Sequence, residues 1–127
     1  MIFIGDTLVP YEPIFNVKTV EEVSKTQANS TVLFTYNEEL MQYCFQNHIA
    51  YGIKINTLKE SLYANALRAK YIICEKEMAS LVQKTAQNYL FDSKILAVIN
   101  SNDEIEEIAQ LEIDGVLYRR VLSTNNK

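Results

Sequence analysis

The thirty residues from Lys70 to Ile99, KYIICEKEMASLVQKTAQNYLFDSKILAVI, decide how this chain is read. They begin and end in short β-rich runs, YIIC and ILAVI, and neither run alternates apolar with polar. Continuous apolarity over four or five residues suits a parallel strand covered on both faces. Between them Met78, Leu81, Val82, Thr85 and Tyr89 recur at the three-and-four spacing that gathers side chains on one face of a helix. Strand, helix, strand over about thirty residues reads as a βαβ unit, with its two strands parallel.

The same alternation extends outward in both directions. TVLFTY from Thr31, AYGIKI from Ala50 and GVLYRR from Gly115 read as further strands. The first helical stretch carries Leu40, Met41, Cys44, Phe45 and His48 as its stripe. Helix starts are marked by capping boxes at Thr19–Glu22, Thr57–Glu60 and Ser101–Glu104, and more simply by Asn37 before Glu38. Three of these four starts directly follow a strand, so strand ends and helix beginnings share one edge of the sheet. The charged Lys54 with Gly52 in one strand, and Arg119 and Arg120 after another, point to edge strands. The expectation is a single α/β domain over residues 1–127. It is a three-layer fold with a mainly parallel, about five-stranded sheet in the flavodoxin-like order 2-1-3-4-5, counting from Thr31. Residues 1–30 form an arm of two short strands, MIFIG and PIFNVKT, and a short helix. Residues 31–120 carry the βα repeats, and 121–127 a tail.

Composition narrows the function classes. A net charge of −4 opposes bulk attraction to nucleic acid or anionic membrane, so neither is expected as a partner. No apolar run spans a bilayer, and the opening MIFIGDTLVPYEP lacks the pattern of a signal peptide. Two cysteines within apolar runs fit free thiols in a reducing compartment, and a cytoplasmic location is the expectation. The three glycines, Gly5, Gly52 and Gly115, are isolated, which removes dinucleotide fingerprints and P-loops, and no cofactor is expected.

Cys44 and His48 sit one helical turn apart, but a zinc site needs three or four ligands and the chain has no second histidine. They read as a core thiol and a helix-end cation. Cys74 ends a strand just before a helix, where a thiolate is favoured, yet Glu75 and Glu77 oppose it. The simpler reading is a small apolar residue closing a buried strand. Asp103, Glu104, Glu106, Glu107 and Glu112 read as a solvated helix face. What is left is the strand-end rim. There Asn37, Asn56, Cys74, Asn100, Ser101, Arg119 and Arg120 would gather as an anion-friendly edge.

Two segments carry a resemblance. ANALRAKYIIC and ILAVINSNDEIEEIAQLEIDGVLY are similar to the strand–helix–strand pieces of phosphate-binding (βα) barrels, such as the aldolases and synthases of sugar-acid and tryptophan metabolism. AQLEIDGV matches their helix-to-strand pattern in part. Those barrels need eight units, so the resemblance implies a half-barrel closing as a dimer, with Ala50, Gly52 and Lys54 facing inward and Lys54 a Schiff-base candidate. The five-strand order is also similar to that of receiver-like domains. Their acidic pairs are replaced here by Asn37-Glu38 and Cys74-Glu75, their lysine by Arg119, and their last helix is missing, so phosphoryl acceptance is not implied. As a whole the chain resembles small bacterial α/β proteins of an uncharacterised family.

Two functions follow as expectations. The first is a non-catalytic binding or interaction domain forming a homo-oligomer, through an arm holding Ile2, Phe3, Ile4, Leu8, Val9, Tyr11, Ile14 and Phe15. If that arm does not cover its own sheet, it covers a neighbour's. The second is a sensor or enzyme for a small anion or phosphate at the strand-end rim.

Overall fold

The computed structural model describes residues 1–123; the last residues of the expected tail lie outside it. Seven strands form one sheet: β1 Ile2–Ile4, β2 Ile14–Asn16, β3 Thr31–Thr35, β4 Tyr51–Lys54, β5 Tyr71–Glu75, β6 Lys94–Ile99 and β7 Gly115–Tyr118. Every pairing is parallel, in the order β1-β7-β6-β5-β4-β3-β2. Helices α1 Val20–Ser24, α2 Glu38–Gln46, α3 Leu58–Ala66, α4 Lys76–Asn88 and α5 Ile105–Gln110 connect them from β2 onward. Thr19, Asn37 and Thr57 cap their helices as the sequence predicts, and Ser101 with Glu104 forms a capping box ahead of α5.

This order corrects the flavodoxin-like expectation. β3 to β7 lie side by side in chain order, with no reversal, and the two arm strands raise the count to seven. Consecutive right-handed crossovers then place all the helices on one face, which removes the third layer. The other face is nevertheless dry. Leu33, Ile73, Leu96 and Leu117 share it by register and are each at most 1% exposed. A sheet can bury a face with no layer over it only by curling onto itself, and this one forms a half-barrel. The Asn16 side-chain amide of β2 donates to the backbone oxygen of Val121, just beyond β7, at 2.7 Å, tying the two flanks together.

Neither expected edge strand is an edge. β4 lies between β3 and β5, with Gly52 and Lys54 turned to the inside of the curl. A Cβ at Gly52 would meet Leu33, Ile73 and Tyr71, so the glycine leaves room for the inner core. β7 is covered by β1, and its two arginines belong to a 3-10 turn over Arg119–Leu122 that occupies the start of the expected tail. The arm covers its own sheet: Ile4 and Ile14 are 1% and 2% exposed, while Leu8 stays in solvent.

Few glycines leave their mark at the helix ends. His48, Arg68, Leu90 and Glu112 follow α2, α3, α4 and α5 in the left-handed region, at φ between 55° and 63°, a conformation that disfavours residues with a Cβ. Leu90 (φ 55°) is 85% exposed, so its side chain gains little in return. We expect Leu90→Gly to raise stability by about 0.5–1 kcal/mol, with part of the gain offset by greater freedom of the unfolded chain. Urea denaturation measures it; an unchanged or lowered midpoint refutes it.

Candidate functional site

The strand C-termini and the α2, α3 and α4 starts do share one end of the half-barrel. Lys54 closes β4 on the inner face, beside Thr35 of β3 in register. Its stem runs along the inner wall and only 15% of the side chain is exposed. The ammonium lies 3.5 Å from Glu75 Oε2 and donates to the Ile55 carbonyl at 3.5 Å. Among the described residues these are its contacts, and both are long for a charge so little exposed.

Glu75 ends β5 and is held more firmly elsewhere. Arg119 grips its two oxygens at 2.6 Å and 3.2 Å, while Arg119 Nε donates to Asn100 Oδ1 at 2.9 Å. These hydrogen bonds from Arg119 hold the Glu75 carboxyl below its usual range, with partial burial opposing them and Lys54 assisting. Glu75 therefore stays a carboxylate at neutral pH, with its charge shared between two cations.

A cleft of about 530 Å³ opens beside Lys54. Asn16, Thr35 and Lys18 line it with Lys54, and Val17, Leu33 and Leu122 supply apolar wall. Glu22 borders it, its carboxylate accepting from the Lys18 amide at 2.9 Å.

The predicted rim residues divide. Asn100 and Arg119 come together with Glu75 and Lys54. Asn37 accepts from the Leu40 amide at 3.1 Å and Ser101 is held in its capping box, so these two side chains serve helix starts, while Asn56 donates its backbone N–H to Glu60 at 2.7 Å in the box that opens α3. Arg120 turns to β1, donating to the Gly5 carbonyl and lying over the Tyr118 ring. Cys74 is fully buried, pairs in register with Ala97 and faces the helices rather than the cleft. Burial pushes its thiol up to about 12 and that of Cys44 up to about 11, so neither is a nucleophile near neutrality. Neither Cys44 nor His48 belongs to this end, and no cluster of three or more metal-ligating side chains occurs among the described residues.

Asn16, Thr35 and the cleft-lining Leu122 are not among the rim residues that the sequence points to, whereas Glu75 is. Lys54 is singled out, but only through the barrel resemblance. The available signal was a lysine on one alternation of an otherwise apolar strand, and it reads equally well as a solvent-facing edge. No helix among the described residues is long and apolar enough to cross a membrane. No protein-family model matches the chain, and no curated protein matches its sequence.

Proposed function

We propose that this protein is a non-catalytic binding domain that takes a small anionic molecule at the strand-end mouth of its half-barrel. The observation that carries this reading is Lys54: a largely buried ammonium on a cleft wall, whose contacts are all at 3.5 Å. Such a group has donors to spare, and an incoming oxyanion satisfies them at closer range than Glu75 does. Arg119, by keeping most of the Glu75 charge, leaves Lys54 with a positive excess. In a chain of net charge −4 this draws an anion to the mouth and not to the surface at large.

Titration calorimetry with acetate, benzoate and inorganic phosphate tests the proposal. Binding of at least one of them, weakened tenfold or more by Lys54→Met at an unchanged thermal midpoint, supports it. Equal binding by wild type and Lys54→Met, or binding of none of the three, rejects it.

A second reading, self-association, is favoured by a different observation. Leu62 and Tyr63 on α3 and Leu81 on α4 are 41%, 53% and 54% exposed on helices that pack together. Large exposed apolar groups on adjacent helices favour this reading, because burying them against a second copy removes apolar surface from water. Native mass spectrometry at tens of micromolar decides it: an oligomer that Leu81→Lys dissolves supports the reading, and a monomer ends it.

A further inference from the structure

We infer that the ligand of the mouth is a monocarboxylate with an apolar body, a short-chain or ring acid, and not a phosphate; the inference rests on the binding reading above.

The charge on the cleft wall is the first ground. Its ionic groups are Lys18, Lys54 and Glu22, a net of one positive charge, with the Glu75 carboxylate standing behind Lys54. One carboxylate balances that wall. A phosphate carrying closer to two charges at pH 7 would leave the excess facing Glu22 and Glu75.

The supply of donors is the second ground. Phosphate sites in α/β folds draw on free backbone amides at helix starts. Here each of the nearest starts already gives one of its amides to its own cap: Asn37 takes the Leu40 amide, Thr57 the Glu60 amide and Thr19 the Glu22 amide. What faces the cleft beside Lys54 is the Thr35 hydroxyl, its register neighbour on the adjoining strand. One ammonium and one hydroxyl suit the two oxygens of a carboxylate.

The rest of the wall is the third ground. Leu122 and the edges of Val17 and Leu33 belong to the same cleft, and its volume of about 530 Å³ lies within the range of small-molecule sites. A bare inorganic ion would leave this apolar surface wet. A ring or short chain covers it and gains affinity with each carbon buried.

Calorimetry at pH 7 with acetate, butyrate, hexanoate, benzoate and inorganic phosphate makes the test. The expected result is that affinity climbs about threefold to fourfold per buried methylene, that hexanoate and benzoate exceed phosphate, and that Leu122→Ser flattens the climb while acetate binding persists. Phosphate binding as tightly as hexanoate, with Lys54→Met abolishing both, overturns the ligand class but keeps the anion site. A series with no dependence on chain length also overturns it. Binding of no acid at all, or binding indifferent to Lys54→Met, removes the anion site itself.

Discussion

Gly115→Val will unfold this protein at a markedly lower urea concentration than wild type. A Cβ at residue 115 would stand 2.5 Å from the backbone oxygen of Ile2, 2.7 Å from its Cβ and 2.8 Å from Leu96 Cδ2. The first of these contacts is with the backbone of β1 itself, so no rotamer change relieves it, and the strand must move away from β7. That movement breaks the β1–β7 ladder and opens the inner core over Leu96 and Leu117. Overpacking costs about 1–3 kcal/mol where neighbours adjust. With a strand displaced, the upper end, about 3 kcal/mol, is the expected loss, or roughly 10 °C in melting temperature. Gly52→Ala is the control, because its 2.5 Å contact is with Leu33 Cδ2, the end of a side chain that can rotate. If Gly115→Ala costs no more than Gly52→Ala, close backbone approach is not what fixes glycine at 115.

The second large effect is at the opposite end of the half-barrel. Glu12 accepts from Lys70 at 2.6 Å, from the Tyr71 hydroxyl at 2.8 Å and from the Thr31 hydroxyl at 3.1 Å. Its carboxylate thus joins the loop before β2 to the starts of β3 and β5. Tyr71 and Thr31 are 5% and 1% exposed, so Glu12→Ala leaves two buried hydroxyls without their acceptor, at an expected cost of about 3 kcal/mol. The pH dependence has a definite sign. Burial by itself would raise the carboxyl, but the hydrogen bonds from Lys70 and Tyr71 outweigh it and hold Glu12 below its usual value. A folded-state value below the unfolded one stabilises at pH above the ordinary carboxylate range and is lost as pH falls through the folded value. The gap between wild type and Glu12→Ala in urea titrations should therefore be full at pH 7 and shrink toward pH 3. A gap that stays constant, or widens in acid, contradicts this account. Truncating residues 1–13 would remove this carboxylate and β1 together, so the arm is part of the fold and not an appendage.

Much of this architecture is legible in the amino-acid order, and the failures have identifiable causes. The βαβ reading from Lys70 to Ile99 holds because YIIC and ILAVI are buried on both faces, as parallel strands are. Thr19, Asn37, Thr57 and Ser101 mark helix starts because capping is local chemistry within four residues. Strand order is not local. Lys54 looked like an edge residue because a charge on a strand needs water, and a curled sheet provides water at its mouth as well as at its edge. The pairing of Ile2 with Gly115 could not be seen, since nothing near either residue specifies a partner at the other end of the chain. Glycine at 115 was visible, but its role depends on that distant neighbour. For the site, Arg119 and Asn100 were legible as strand-end residues, whereas their convergence with Glu75 and Lys54 depends on the order of β4 to β7.

The two arm strands, one at each flank of the sheet, also set a timetable. β2 can join β3 as soon as both have been synthesised, but β1, made first, finds its partner only once β7 exists. Until then Ile2, Phe3 and Ile4 have no ladder to enter, and the inner face over Leu96 and Leu117 has no wall on that side. Contacts this far apart in the chain are slow to form, because a long loop must close before they repay its entropy. Of all the ladders in this sheet, the one between β1 and β7 therefore has the longest loop to close.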